Sequence, residues 1–339
     1  MVEAFIRPCV ESVYSQGLDD ADFEVIFVND GTTDNSFNKI EDILAQHQNV
    51  TIINQDNQGL SVARNIGMLN ASGKYILHID SDDLLVNNRL SSLLNIALES
   101  NADMIIYDYV KMSSDEIESH LADSVLPNQG EPKLEQSNYQ KGWDFFLHDY
   151  DNHGYVWKVL FNKRFLESNH LYFIRGITSQ DIPFIVDCLL ADGVVLKIPL
   201  ISYIYRQHPN SIVYNPNKKR IMDLTVVMES LWAQKEKNSY PIEIKRRLTD
   251  TLFYVFTNFK WRIILNKDVY SERRDIIRDL RERIPDLKFD NNIQQLLATC
   301  FFRLMPYRYL EIRKYINNIV WKNKKFWRFL MYRDSFSNT

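Results

Sequence analysis

This 339-residue chain has few cysteines and no long apolar run, and each absence excludes a class of protein. Its three cysteines, Cys9, Cys188 and Cys300, stand far apart, with no CxxC pair and no histidine at metal-ligand spacing. That excludes a disulfide framework or a zinc site and fits a reducing compartment. No stretch reaches the roughly 18–20 apolar residues of a membrane span, and none reads as a signal peptide. The expected location is the cytoplasm, with the inner face of the cytoplasmic membrane as the surface a peripheral protein would meet. No internal repeat is visible. What is present is ordinary for a globular protein: 45% apolar and 25% charged residues, with 18 Tyr, 19 Phe and 6 Trp. The length suits two domains, or one large domain with an extension.

Charge is unevenly spread. Residues 303–333 hold nine Lys/Arg and one Glu, a net +8 in a chain of net −4, so the rest carries −12. Aromatic and aliphatic groups interleave with these cations, as in Trp321-Lys322-Asn323-Lys324-Lys325-Phe326-Trp327-Arg328. The pattern suits a helix on an anionic membrane surface. It equally suits a C-terminal helix whose cations face the acidic body. The acidic body argues against nucleic acid as a partner.

From Glu3 to Tyr109 helical and strand patterns alternate: helix at 4–16, strand at 23–28, helix at 36–46, strand at 50–54, helix at 60–70, strand at 74–79, helix at 89–99 and strand at 104–107. Such alternation predicts βαβ units and an α/β fold with a mainly parallel sheet flanked by helices. Residues 111–138 read as an irregular surface excursion. Strand or helix patterns resume at 155–161, 180–191, 194–197 and 202–205, and everything from about Pro216 reads as helix. The expected division is 1–213 for the α/β domain and 214–339 for an all-helical extension.

The stretch Gly73-Lys74-Tyr75-Ile76-Leu77-His78-Ile79-Asp80-Ser81-Asp82-Asp83 carries the most chemistry. A strand-length apolar run ends in three carboxylates, and the i, i+2 spacing of Asp80 and Asp82 puts both on one face, roughly 6–7 Å apart. Carboxylates gathered at a strand end suit a hard cation such as Mg²⁺ or Mn²⁺. Capping of the next helix by Asp82 or Asp83 is the plainer alternative. A second strand ends in Asn29-Asp30-Gly31-Thr32-Thr33-Asp34. Parallel strands would bring both clusters to one crevice beyond their carboxyl ends, where open α/β sheets bind ligands. A third element, Asn57-Gln58-Gly59-Leu60-Ser61-Val62-Ala63-Arg64-Asn65, opens a helix with a Gly loop and places Arg64 in it, features that suit an anionic ligand.

These three motifs, in this order, resemble glycosyltransferase family 2 over about residues 2–213. The resemblance implies a GT-A fold, a nucleotide-sugar donor (commonly UDP), inversion at the anomeric carbon, and a Mn²⁺ or Mg²⁺ cofactor. It implies that Asp30 meets the nucleobase, with Gly31, Asn57, Gly59, Arg64 and Ser81 around the donor. Asp80-Ser81-Asp82 would be the DxD motif, with Asp82 the direct metal ligand and Asp80 nearer the ribose or sugar. Asp181, in Thr178-Ser179-Gln180-Asp181-Ile182, matches the family's general base; Gln180 stands where the family has Glu. Arg206 and His208, in Tyr203-Ile204-Tyr205-Arg206-Gln207-His208, match a late segment near the diphosphate. Trp157 and Gln180 are placed on the acceptor side. His78 reads as a packed residue. The resemblance also implies a saccharide or lipid-linked acceptor in bacterial surface polysaccharide synthesis.

The family's first, central strand has no counterpart before the helix at Glu3. The expectation is that a strand and turn, roughly 10 residues, belong upstream. That gap keeps a competing reading open, a catalytically inactive scaffold or binding protein. A sugar-nucleotide pyrophosphorylase would need a Gly-rich N-terminal loop followed by Arg and Lys, which is absent.

Overall fold

The structure is a computed structural model that describes residues 2–123, 134–135, 138–208, 217–266, 269, 271–292, 294–299 and 301–302. The basic segment 303–333 and Cys300 lie outside the described residues. The chain divides into two compact units, Met1–Asn215 and Pro216–Thr339.

The first unit is α/β. Helix α1 (Ile6–Tyr14) buries Ile6, Cys9, Val10 and Val13, the 3–4-residue spacing of one helix face. Strands β1 (Val25–Asp30) and β2 (Val50–Gln55) pair in parallel, with the short helix α2 (Glu41–Leu44) on the connection. Helix α3 (Leu60–Asn70) packs on β1. Then come β3 (Tyr75–Leu77), β4 (Leu84–Leu85), α4 (Arg89–Ser100), β5 (Met104–Ser113) and α5 (Ser114–Asp123). The unit closes with β6 (Tyr139–Lys141), α6 (Gly142–His148), β7 (Val159–Asn162), α7 (Lys163–Ser168), α8 (Asp181–Leu190) and β8 (Val194–Gln207).

The sheet is mixed, with its longest ladders parallel. Only β1/β2 and β5/β8 are parallel pairs, whereas β3/β7, β5/β7, β4/β8 and β6/β8 are antiparallel. The order is β3-β7-β5-β8-β4, with β6 also on β8; β1 and β2 form a separate two-stranded sheet. The antiparallel β7 sits between β3 and β5 because the chain from α6 returns through the middle of the sheet. The central strands are the core: Met104, Ile105, Phe161, Leu196 and Leu200 have no exposed surface.

The two strands expected at 194–197 and 202–205 are one continuous strand. Its pairing with β5 slips between Ile106↔Lys197 and Asp108↔Ile201, and Pro199 falls in that irregularity. A proline has no N–H to donate, so a bulge is where a strand tolerates one. The excursion expected from 111 to 138 begins as regular structure, since β5 runs on to Ser113 and α5 follows directly.

The second unit is helical where described: α9 (Lys218–Lys235), α10 (Ile242–Leu265) and α11 (Arg273–Arg283). The Asn217 side chain caps α9 by accepting from Arg220 N. Val227, Met228 and Leu231 of α9 bury themselves with Leu252, Val255, Phe256 and Phe259 of α10 and Ile276 and Leu280 of α11. No described helix is long and apolar enough to cross a membrane.

Candidate active site

The carboxylate turn is built by residues from three elements. Beyond β3 the chain folds back at Asp80-Ser81-Asp82-Asp83, closed by Asp83 N donating to Asp80 O at 3.0 Å. Asp83 points inward. Its carboxylate accepts from Tyr203 Oη and from Arg206 N, both at 2.8 Å. Tyr203 Oη in turn accepts from Asp80 N at 3.1 Å. Burial, and then the charges of Asp80 and Asp82, push the Asp83 carboxyl up to about 8. Asp83 therefore anchors the turn from within, and the cluster's open carboxylate is Asp82.

Arg206 lies under the turn. Its Nε donates to Asp82 O at 2.8 Å, and its guanidinium stands 5.1 Å from the Phe5 ring. His208 packs on the same ring at 4.5 Å and brings Nε2 to 3.1 Å from Asp82 Oδ2. An acidic oxygen and an imidazole nitrogen thus converge at the rim of the turn. No group of three or more His, Cys, Asp or Glu side chains forms a metal cluster among the described residues.

Asp30 is an organiser of the neighbouring loop. Its Oδ1 accepts from Gln55 Nε2 at 2.6 Å and Gln58 N at 2.7 Å, and its Oδ2 accepts from Gly59 N at 2.8 Å. A carboxylate has about four acceptor positions, so one is left for a ligand. Gly31 and Gly59 are needed as glycines: φ is +72° and +90°, and a Cβ on Gly31 would lie 3.0 Å from Asn57 N. Gly59 then starts α3, whose Ser61 and Asn65 hold the segment before α8. Ser61 Oγ accepts from Gly176 N, and Asn65 exchanges two hydrogen bonds with the Phe173 backbone.

Arg64 sits at the centre of the site. Its side chain is 7% exposed and bridges two carboxylates: Nη2 to Asp80 Oδ1 at 2.6 Å and Nη1 to Asp181 Oδ1 at 2.5 Å. The guanidinium also lies 5.6 Å from the Phe173 ring. Arg64 therefore does not project freely toward a donor; it ties the carboxylate turn to the start of α8. Asp181 opens α8 and is about one-third exposed, at 32%. Burial raises its carboxyl, Arg64 opposes that and Asp80 adds to it, leaving it at about 6. Gly154 packs directly on this residue: an added Cβ would lie 2.4 Å from Asp181 C and 2.3 Å from Ile182 N.

Both side chains expected on the acceptor side are buried. Trp157 is 2% exposed and stacks on Tyr203 at 4.4 Å, so it buttresses the ring that holds Asp80 and Asp83. Gln180 is 0% exposed, and neither atom of its amide finds a partner among the described residues. His78 is a packed residue between the Phe161 and Phe173 rings, and burial, with Arg64 beside it, pushes it down to about 3. Asn57 is exposed and Ser81 half-buried beside the turn.

Residues 2–156 match the profile described as "Glycosyl transferase family 2". The match covers just under half of the chain, and over that stretch the chain is similar to this family. The glycosyltransferase EpsJ of Bacillus subtilis (strain 168), named as uncharacterized, is 32% identical over 218 residues. That match covers 64% of this chain and 61% of EpsJ, so the chain spans less than two thirds of that relative. EpsH of the same organism, provisionally named as a glycosyltransferase, is 26% identical over 322 residues, 90% of each chain. Among solved structures, Staphylococcus aureus TarS 1–349 in complex with UDP-GlcNAc superimposes with a TM-score of 0.63 at 16% identity. It covers 89% of this chain and 84% of TarS 1–349, and the likeness is one of GT-A-type fold.

Five residues of this candidate site carry no signal strong enough to single them out in the sequence. Tyr203 and Asp83 lie inside motifs whose neighbours draw attention first. Phe5 and Cys9, whose thiol reaches Asp80 O at 3.8 Å, look like ordinary helix-face residues. Gly154 sits in a loop with no motif at all, and only the packing reveals why it has no side chain.

Proposed function

We propose that this chain is an inverting glycosyltransferase that moves a sugar from a UDP-sugar to a saccharide hydroxyl, with Asp181 as general base. The observation that carries the reading is the Arg64 bridge. It holds the DxD carboxylate Asp80 and the carboxylate of Asp181 on one buried guanidinium, so donor turn and base share one rigid support.

In this reading Asp181 accepts the proton of the acceptor hydroxyl as that oxygen attacks the anomeric carbon and the bond to the diphosphate breaks. Attack from the face opposite the diphosphate inverts the centre. A base near pH 6 is mostly ionised at neutral pH and still takes a proton readily. Asp30, Gly59 and the start of α3 form the nucleoside end, and Arg206 with the ring of Phe5, the residue before α1, backs the diphosphate end. The carboxylate at the rim suits Mn²⁺ or Mg²⁺, and the imidazole 3.1 Å from it favours Mn²⁺ of the two. Asp82 and His208 would hold the ion, while Asp80 Oδ1 is already engaged by Arg64. When bound, the ion supplies positive charge that stabilises the diphosphate. The UDP-GlcNAc and UDP complexes of TarS support the choice of a uridine donor. A lipid-linked acceptor in surface polysaccharide synthesis, and an anionic membrane met through residues 303–333, complete the reading on sequence grounds.

UDP release from a panel of UDP-hexoses, beginning with UDP-GlcNAc, tests it in Mn²⁺ and in EDTA. Metal-dependent release that disappears in Asp181→Asn is expected. Folded protein that turns over none of the panel with or without metal would refute it.

A further inference from the structure

A column of stacked rings runs outward from the carboxylate turn to the segment that packs on Asp181. It begins at Tyr203, whose hydroxyl holds Asp80 and Asp83. Trp157 lies on Tyr203 at 4.4 Å and 10°, Tyr155 on Trp157 at 4.8 Å and 20°, and His153 on Tyr155 at 5.1 Å and 21°. Two further rings flank the column, Tyr109 at 4.9 Å from Trp157 and Tyr205 at 5.4 Å. Burial falls along it. Tyr203 and Trp157 are buried, whereas His153, Tyr155, Tyr109 and Tyr205 are half-buried. Tyr109 and Tyr205 belong to the parallel strands β5 and β8 and lie toward their carboxyl ends, the side on which such sheets bind ligands.

The outer end is polar. Asp151 has Oδ1 3.4 Å from His153 Nδ1 and Oδ2 3.5 Å from Lys158 Nζ, and its side chain is 50% exposed. Between His153 and Tyr155 stands Gly154, whose backbone lies directly on the backbone of Asp181 and Ile182. The rings and the carboxylate are therefore fixed beside the base. A ledge of partly exposed aromatic rings with one carboxylate at its edge has the chemistry of a pyranose site. The rings cover the apolar C–H face of the sugar, and the carboxylate accepts from its hydroxyls.

We propose that Tyr109, Tyr205 and the outer face of His153, which Tyr155 supports from beneath, form the acceptor platform with Asp151 at the edge, and that it takes a neutral pyranose ring by stacking. This rests on Asp181 acting as the base of glycosyl transfer. It assigns the acceptor class by the surface next to the base, because a flexible polyol phosphate has no flat apolar face to stack.

The test is saturation-transfer NMR on the full chain with UDP and Mn²⁺ present, using methyl glycopyranosides as probes and glycerol 3-phosphate as the polyol-phosphate control. Calorimetry of UDP binding is run on the same samples. The expected result is strong transfer to ring C–H protons of at least one pyranoside, weakened about tenfold in Tyr109→Ala/Tyr205→Ala and retained in Tyr109→Phe/Tyr205→Phe. Asp151→Asn should weaken the same pyranoside without altering which of its protons receive saturation. UDP binding with no pyranoside contact, equal transfer in wild type and the Ala pair, or preference for glycerol 3-phosphate would overturn the platform and leave the donor reading standing. Failure of wild-type protein to bind UDP would overturn both.

Discussion

Asp82 and Asp181 are similarly exposed, at 30% and 32% of the side chain, yet their surroundings differ in kind. Asp181 already has its cation, Arg64, at 2.5 Å inside the protein. Asp82 has only the imidazole of His208 at 3.1 Å among the described residues; Arg206 reaches its backbone carbonyl, not its carboxylate. A carboxylate with an internal counter-charge is held in place and tuned. One without is left for an external cation. The difference sets the two carboxylates apart on electrostatic grounds, and it supports the proposal that Asp82 rather than Asp80 meets a metal, because Asp80 shares Arg64.

The comparison breaks most severely if the internal cation is removed. Arg64→Met would leave Asp80 and Asp181 unpaired in a partly buried site. Breaking a buried pair costs roughly 3–5 kcal/mol, and the partial exposure of both carboxylates argues for about 3 kcal/mol. Denaturant melts would show it as a lower midpoint with unchanged slope. Asp181→Asn keeps the shape but loses the proton acceptor, so kcat should fall by about 10²–10⁴. In wild type, kcat/KM should drop about tenfold per pH unit below about 6, as Asp181 takes up its proton, and be flat above it. A pH–rate profile without that limb would remove Asp181 from the role.

Gly154→Ala sharpens the comparison from the other side. The new Cβ cannot coexist with the Asp181 carbonyl carbon, so α8 must shift at its first residue. Overpacking of this sort costs about 1–3 kcal/mol, and the effect on kcat should exceed any effect on UDP affinity. A pH effect on stability centres on Asp83. Its carboxyl lies above the ordinary 3.8 when folded, so the folded state binds its proton more tightly than the unfolded state. That contribution to stability is complete below pH 3.8 and is lost as pH rises through about 8, and the Asp181 contribution is lost through about 6. Metal-free protein should therefore melt at lower temperature as pH is raised from 5 to about 9, and Asp83→Asn should flatten the curve.

Much of this was legible in the sequence because each motif is a local signal. The helix at 60–70 stands at the bounds periodicity gave it, and of the strand expected at 74–79 the middle, Tyr75–Leu77, is formed, with Asp80-Ser81-Asp82 in the turn beyond. The mixed sheet was not legible. β7 is four residues long, and its antiparallel insertion between β3 and β5 is decided by packing rather than by any pattern within it. β4 and β6, of two and three residues, are too short to show a period at all. Pro199 split one strand into two on paper because a bulge cannot be foreseen from one strand's residues. In the site, Arg64 suggested a ligand contact, since an arginine near a Gly loop suits an anion. Its two carboxylate partners are 16 and 117 residues away, and only the fold brings them together. Gln180 likewise gave no sign that it would be buried.

The central claim is that Asp82 serves an external cation and Asp181 does not. Calorimetric titration of UDP, with Mn²⁺ and with EDTA, on wild type, Asp82→Ala and Asp181→Asn tests it most directly. The account predicts metal-dependent binding in wild type, its loss by about 100-fold or more in Asp82→Ala, and its survival in Asp181→Asn. Binding that ignores the metal, or that fails equally in both variants, would contradict it.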